Sequence, residues 1–172
     1  FARLAECLPK CSAELRVRCK KFPGGLTNQC VGRLAENLPA YMTRLELAFD
    51  DCHGVGDMGV ASLAKHLPLW LSTFALDLSY CHNVTNAGLS KLAAYLPAGL
   101  LTLRLDLKGC NRIGDAGLVS LAEHLPRQLL NLDLDFEACC DISNAGATSL
   151  AQRLPPTIRV LKLCFKDFKR ID

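Results

Sequence analysis

The sequence has few aromatic residues, no large excess of charge of either sign and no long hydrophobic run. Aromatic side chains make up 6% of the 172 residues although half of all residues are hydrophobic, so the core must be mainly aliphatic. The formal net charge is +3, without a concentrated basic run, which argues against a nucleic-acid partner. No apolar stretch approaches the roughly 18 residues that span a bilayer, so direct membrane insertion is not expected.

Sequence motifs of catalysis and of metal binding are also missing. The chain contains no G-x-S-x-G, P-loop, G-x-G-x-x-G or H-E-x-x-H sequence, and its ten cysteines include no C-x-x-C. The pairs Cys52-His53 and Cys81-His82 suggest zinc at first sight, but in each pair the two side chains should point in opposite directions, the Cys inward and the His outward. We therefore expect no catalytic residue, no metal site and no cofactor.

The dominant feature that is present is an internal repeat. The dipeptide Leu-Pro recurs with a period of about 29 residues, which lies in the range typical of solenoid arrays. Its six copies are Leu8-Pro9, Leu38-Pro39, Leu67-Pro68, Leu96-Pro97, Leu125-Pro126 and Leu154-Pro155. A cysteine follows the leucine at one fixed distance in four units, at Cys52, Cys81, Cys110 and Cys139. The chain therefore consists of about six copies of one unit.

Each unit combines two hydrophobic periods. In the unit from Thr102 to Pro126, leucines at 103, 105 and 107 alternate with charged residues, which predicts a short strand with one buried face. Later in the unit, apolar residues at 118, 121, 122 and 125 have the spacing of one helical face. The unit is therefore a strand, a turn, a helix and a second turn.

Local signals place the ends of the helices. Ser143-Asn144, Thr85-Asn86 and Gly114-Asp115 each suggest a capping side chain at the start of a helix. The proline after each final leucine cannot continue a helix, because it lacks the N–H group and its ring crowds the preceding turn. The predicted helices cover residues 28–38, 57–67, 86–96, 115–125 and 144–154.

Stacking of these units predicts the fold. Strands joined by helical crossovers pair in parallel, and each unit has apolar faces that only its neighbours can bury. The expected architecture is an α/β solenoid shaped like a horseshoe, with six short parallel strands in one sheet on the inside and helices on the outside.

The repeated pattern L-x-L-x-x-C-x-x-I-G-D-A-G-L-x-x-L-A-x-x-L-P resembles the leucine-rich repeat over essentially the whole chain. Within that family it is similar to the helix-bearing, ribonuclease-inhibitor-like class and to the cysteine-containing class of F-box adaptors. The resemblance implies a horseshoe that binds other proteins, usually on its concave face. Residues 1–172 then form a single array. Because the sequence begins and ends within a repeat and shows no polar cap, we expect it to belong to a longer chain or complex.

The cysteines are expected to be structural thiols. The repeated position of Cys52, Cys81, Cys110 and Cys139 predicts an inward ladder whose S–H groups face loop carbonyls. A ladder of unpaired thiols favours an intracellular, reducing compartment, most simply the cytoplasm.

The outward strand positions form three columns on the predicted concave face. The first column is Arg16, Glu46, Ala75, Arg104, Asp133 and Lys162. The middle column is Arg18, Ala48, Asp77, Asp106, Asp135 and Cys164. The third column is Lys20, Asp50, Ser79, Lys108, Glu137 and Lys166. Neighbouring strands lie about 4.8 Å apart, so opposite charges in the first and third columns should form lateral ion pairs.

The middle column differs because Asp77, Asp106 and Asp135 place three like charges on neighbouring strands. Arg104 and Lys108 flank only Asp106. One interpretation is that the aspartates are a habit of the repeat without a ligand. The other is an acidic concave stripe that receives a basic segment of a protein partner. The candidate partner-binding residues are Asp50, Asp77, Asp106, Asp133, Asp135, Glu137, Arg104 and Lys108.

The leading functional hypothesis is a scaffold or interaction module without enzymatic activity of its own. A second hypothesis is the recognition arm of a larger enzyme or receptor, such as an F-box-type ubiquitin-ligase adaptor or a nucleotide-binding immune receptor. A third is a structural subunit of a large assembly, in which both faces are covered. The residues alone do not separate these three.

Overall fold

A computed structural model describes residues 8–20 and 25–166. Six parallel strands form one sheet in chain order. The strands are β1 (Glu14–Arg18), β2 (Arg44–Ala48), β3 (Thr73–Asp77), β4 (Thr102–Asp106), β5 (Asn131–Asp135) and β6 (Val160–Cys164). Consecutive strands pair with a constant register, so that each residue lies opposite its equivalent in the next unit. The predicted α/β solenoid with a parallel inner sheet is confirmed.

Five helices follow the first five strands. They are α1 (Asn28–Glu36), α2 (Asp57–Lys65), α3 (Asn86–Ala94), α4 (Asp115–His124) and α5 (Asn144–Gln152). All five predicted helices start at the predicted residue but end one or two residues early. In α2 the reason is visible, because the N–H groups of His66 and Leu67 bond to the carbonyls three residues back. The chain thereby leaves the α conformation before the proline.

One of the proposed helix caps is wrong. Thr85 and Ser143 accept hydrogen bonds from the backbone N–H groups of Ala87 and Ala145, as expected of capping side chains. Gly114 occupies the capping position of α4 but has no side chain with which to cap it. Asp115 is the first residue of α4, and its carboxylate instead accepts hydrogen bonds from Ser143 in the next unit.

These first helical residues form a ladder that ties each unit to the next. Asn28 Oδ1 accepts hydrogen bonds from the N–H groups of Gly56 and Gly59, at 2.8 and 3.0 Å. Asp57 accepts from the N–H groups of Thr85 and Gly88, at 2.8 and 3.0 Å, and also from the Thr85 hydroxyl. Asn86 repeats the first arrangement with the N–H groups of Gly114 and Gly117, and Asp115 accepts from the N–H group and the hydroxyl of Ser143. We name this set the helix-start ladder.

The core runs without interruption between the sheet and the helices. Leucines from both layers are fully buried in every unit from the second to the fifth, together with Phe49, Phe74 and Phe136. Each helix packs against the helix of the neighbouring unit, and each strand against the neighbouring strand. No unit buries its apolar faces alone, as the repeat pattern predicted.

The cysteine ladder lies inside the turns that follow the strands, as predicted. Cys81, Cys110 and Cys139 are fully buried, and each thiol donates to a backbone carbonyl of the preceding unit. The sulfur-to-oxygen distances are 3.1 Å to Phe49, 3.2 Å to Leu78 and 3.2 Å to Leu107. Burial raises the pKa of Cys81 and of Cys139 to about 12, so both thiols stay protonated at neutral pH.

Replacement of Cys110 by alanine should lower the free energy of unfolding by about 1–3 kcal/mol. The change removes a buried sulfur and one of two donors to the Leu78 carbonyl, the thiol at 3.2 Å, while the Cys81 N–H group stays bonded to it at 2.9 Å. Urea denaturation of Cys110→Ala measures the loss, and Cys11→Ala is the matched control because Cys11 is exposed. Equal stability of the two variants would contradict a structural role for the ladder.

Candidate functional site

The concave face of the sheet carries the candidate residues in columns, as the sequence predicts. The strand register places Glu46 opposite Ala75, Arg104 opposite Asp133, and Asp106 between Asp77 and Asp135. The third column lies just beyond the strand ends, where the backbone continues to bond from unit to unit. Strands β1 to β4 and the residues after them enclose a shallow hollow of about 380 Å³.

Lateral ion pairs occupy the outer columns. In the first column, Arg16 lies 3.1 Å from Glu46 and Arg104 lies 3.3 Å from Asp133. In the third column, Lys20 Nζ lies 2.7 Å from Asp50, and Lys108 Nζ lies 2.7 Å from Glu137. Four of the predicted pairs are therefore present, and the register also sets Lys162 beside Asp133. Since the basic side chains of these pairs are exposed to solvent, each pair contributes little to stability.

A fourth column went unnoticed in the sequence. The first strand residues Glu14, Arg44, Thr73, Thr102, Asn131 and Val160 pair in register along the same face. Arg44 lies 3.5 Å from Glu46, so that acid is shared between two bases, Arg16 and Arg44. In the first five units the alternation of apolar and polar residues extends one step earlier, to this polar residue, and that extension is the signal that marks the column.

The middle-column aspartates have a local structural role that sequence reasoning missed. Each carboxylate accepts a hydrogen bond from the backbone N–H group two residues later in its own unit. Asp77 accepts from Ser79 at 2.9 Å, Asp106 from Lys108 at 3.2 Å and Asp135 from Glu137 at 2.8 Å. Aspartate favours such local bonds, so the aspartate that ends β3, β4 and β5 has a physical reason within the repeat.

Ser79 joins two of these carboxylates. Its buried hydroxyl lies 2.6 Å from Asp77 Oδ1 and 2.8 Å from Asp106 Oδ1. Burial raises the pKa of Asp106, hydrogen bonds from Ser79 and from Lys108 N–H oppose that shift, and the neighbouring charges of Asp77 and Asp135 add to it. The ionised form of Asp106 is therefore less favourable in the folded protein than in the unfolded chain.

The middle column retains negative charge that no ion pair neutralises. Among the residues that the structure describes, ion pairs on the concave face involve the first, third and fourth columns only. The six acids among the predicted site residues thus separate into two groups. Asp50, Asp133 and Glu137 are paired with bases, whereas Asp77, Asp106 and Asp135 form an unneutralised row, which we name the acidic row.

One group of side chains near the end of the acidic row has metal-ligand chemistry. Ligand atoms of Asp135, Glu137 and Cys164 lie within 4.8 Å of one another. However, Lys108 is bound to Glu137, and burial followed by a hydrogen bond to Asp135 raises the pKa of the Cys164 thiol. A thiol binds metal as the thiolate, which these surroundings disfavour. The arrangement therefore gives no reason to assign a metal.

Within the Cys-His pairs that suggested zinc, the cysteine and the histidine point away from each other in the structure. Cys81 is buried and bonded to the Phe49 carbonyl, whereas His82 Nδ1 lies 3.0 Å from the carbonyl oxygen of Gly109 in the turn of the next unit. The rings of His53 and His82 stack with centroids 5.7 Å apart on the outside of these turns. The predicted opposite orientation of Cys81 and His82 is confirmed.

Among the described residues, no helix is long and apolar enough to cross a membrane.

An open parallel sheet built from repeated strand-and-helix units, with one helix after each of the first five strands, defines an α/β repeat solenoid. A family model described as leucine-rich repeat matches residues 75–93 and 100–122. The fold that the structure describes is a leucine-rich-repeat solenoid. A search of curated protein sequences found no significant match.

Solved structures share the fold at low sequence identity. The actin-binding site 2 of leiomodin-1 is 18% identical with a TM-score of 0.61, over 89% of this chain and 84% of that one. A chain of the Rad7 and Elc1 complex in yeast is 17% identical with a TM-score of 0.58, over 80% of this chain and 32% of that one. The leucine-rich-repeat protein LegL7 from Legionella pneumophila is 15% identical with a TM-score of 0.59, over 91% and 49%. This chain therefore spans about a third of the matched Rad7–Elc1 chain.

Proposed function

We propose that the protein is an interaction module that binds a basic segment of a protein partner on its concave face. The observation that carries the proposal is the acidic row, because Asp77, Asp106 and Asp135 lie in register on three neighbouring strands without an ion-pair partner among the described residues. Like charges directly opposite one another on a sheet are destabilising. A lysine or arginine of a partner would relieve this repulsion.

The surroundings of the row support an extended ligand. The hollow of about 380 Å³ opens along the face of β1 to β4 and includes Asp77 and Asp106. The paired charges on either side have their acids already neutralised, so the row is the part of the face that attracts a cation most strongly. Two of the solved structures that share the fold are, by their titles, a protein complex and an actin-binding site. Both titles are compatible with a protein-binding role for this solenoid.

The triple variant Asp77→Asn, Asp106→Asn and Asp135→Asn should bind a lysine- and arginine-rich peptide at least about tenfold more weakly than the original chain. Each asparagine keeps an oxygen for the local backbone bond but loses the charge that assists a hydrogen bond to the ligand. Titration by calorimetry at two salt concentrations measures the effect. Binding by the original chain should weaken as salt rises, because exposed charges are screened over about 8–10 Å.

The matched control is Glu36→Gln, Glu123→Gln and Asp141→Asn, which makes the same change in net charge at exposed sites away from the sheet. It should bind the peptide like the original chain.

The acidic-row variant should be at least as stable as the original chain. Because the pKa of Asp106 is raised in the folded protein, this group favours the folded state at low pH, and its contribution is lost as pH rises through that pKa. Equal affinity of both triple variants would contradict the proposal and leave the aspartates as a feature of the repeat alone.

A further inference from the structure

A second surface lies along the edge of the sheet where the strands begin. The loops from each helix to the next strand all reach this edge, and three of them expose large apolar side chains. Tyr41 is 78% exposed, Leu69 is 84% exposed and Trp70 is 69% exposed. Tyr95 and Leu101 extend the exposed set into the fourth unit. We name these five residues the apolar rim.

Backbone hydrogen bonds hold the rim loops side by side. The N–H group of Ser72 bonds to the Thr43 carbonyl at 2.9 Å, and that of Leu101 bonds to the Ser72 carbonyl at 2.9 Å. Within the loops, the side chains of Met42 and Leu71 are fully buried and fix the neighbouring residues to the core. The exposed side chains that precede these anchors, Tyr41 before Met42 and Leu69 and Trp70 before Leu71, are therefore directed away from the protein.

The charge distribution around the rim is asymmetric. Residues 37–43, 67–73 and 95–103 contain no charged side chain. The equivalent loop of the first unit carries Lys10 and that of the fifth unit carries Arg127, both exposed. The last helical turns that end at this edge carry Arg33, Lys65 and Lys91. The acids in the same helical turns are Glu36 on α1 and Glu123 on α4. An uncharged aromatic patch is thus bordered mainly by cations.

We propose that the apolar rim binds peripherally to the surface of an anionic lipid bilayer. Tryptophan and tyrosine favour the interface between water and hydrocarbon, and lysine and arginine beside them attract acidic headgroups. The rim side chains protrude, whereas a peptide-binding groove would surround its ligand with protein walls. A bilayer surface can surround protruding side chains and needs no complementary shape to do so, as it does with interfacial anchors.

The basic border also favours an anionic lipid surface over a second copy of the chain as the partner of the rim. A twofold contact between two rims would bring the same basic border of each copy against itself. An anionic surface instead complements that border. The acidic row lies on the face of the sheet and the rim lies at its edge, so membrane contact through the rim would leave the concave face open. This inference therefore stands independently of the proposed peptide binding.

The chain provides its own probe, because Trp70 is its single tryptophan. The experiment is a titration of the protein with vesicles of phosphatidylcholine alone and of phosphatidylcholine mixed with phosphatidylserine. On the mixed vesicles the emission of Trp70 should shift to shorter wavelength, as expected of an indole that leaves water. Vesicles of phosphatidylcholine alone should produce a much smaller shift, since the basic border then has no anionic headgroups to bind.

Two variants test whether the rim carries the binding. Leu69→Ser should lower the partition coefficient on the mixed vesicles by about tenfold, through loss of buried apolar area. Met58→Ser is the matched control, because Met58 is 75% exposed on α2 and lies outside the rim. It should partition like the original chain. Both variants keep Trp70, and circular dichroism checks that both remain folded.

The proposal fails if Trp70 shows no shift on anionic vesicles, or if the Met58 variant loses binding as much as the Leu69 variant. It also fails if the same shift occurs without lipid as the protein concentration rises, together with dimers in sedimentation. That result would make a second copy the occupant of the rim.

Discussion

Asp57→Ala is expected to lower the free energy of unfolding by about 2–4 kcal/mol. The Asp57 carboxylate accepts the backbone N–H groups of Thr85 and Gly88 at the first turn of α3, as well as the Thr85 hydroxyl. Alanine would leave these partly buried donors without an acceptor, and each hydrogen bond to a charged group contributes about 1.5–3 kcal/mol. Urea denaturation followed by circular dichroism measures the difference.

The matched variant is Asp57→Asn, which should cost less than half as much. Asn28 and Asn86 already perform this task elsewhere, with one amide oxygen accepting from two backbone N–H groups. Asparagine at position 57 would keep those two bonds and lose mainly the charge and the acceptor for the Thr85 hydroxyl. If the alanine and asparagine variants were equally unstable, the bonds to the backbone would not be the source of the effect.

Gly117→Ala should also destabilise the protein, by about 2–3 kcal/mol, although alanine normally stabilises the interior of a helix relative to glycine. A Cβ atom at Gly117 would lie 2.7 Å from Asn86 Oδ1 and 3.2 Å from Leu89 Cδ2. The new methyl group would displace Asn86 from the N–H groups of Gly114 and Gly117 and crowd the packed interface between α3 and α4. Contacts with the neighbouring unit therefore make alanine destabilising at a helix position where it would normally be stabilising.

Gly99→Ala is the control for this reversal. A Cβ atom there would meet nothing within 4 Å, so the variant should be unchanged or slightly more stable because its unfolded chain has less conformational freedom. Thermal unfolding of both variants compares the two sites. A Gly117 variant as stable as the Gly99 variant would show that the helix-start ladder tolerates the extra methyl group.

The fold could be predicted from the sequence because one local pattern is repeated six times. The alternation around Leu103 and the helical spacing after Gly117 each indicated the correct element, and the constant period of the repeat indicated the parallel pairing. Helix ends were less well predicted, since the tightened turn before each proline depends on backbone geometry. The cap assigned to Asp115 was wrong because its carboxylate bonds to Ser143 in the following unit, and not within its own helix.

The candidate site was predictable in its placement and not in its bonding. The columns of the concave face follow from the two-residue period of a strand, and four of the expected ion pairs are present. Ser79 was predicted only as a neutral member of the third column. Its hydroxyl in fact joins Asp77 and Asp106, which requires both the turn after β3 and the register of β4. Contacts that combine a local turn with a neighbouring unit leave no pattern in a single repeat.

The helix-start ladder divides the array into two kinds of unit. In one kind, the helix begins at Thr27-Asn28 or Thr85-Asn86, and the asparagine amide accepts from a glycine of the next unit, Gly56 or Gly114. In the other kind, the helix begins at Gly56-Asp57 or Gly114-Asp115, and the aspartate carboxylate accepts from a hydroxyl residue of the next unit, Thr85 or Ser143. Loss or duplication of one unit would set two mismatched helix starts side by side. Removal, addition or exchange of units should therefore proceed by pairs. With a pair of units, every donor at a helix start keeps the same kind of acceptor as in the present chain.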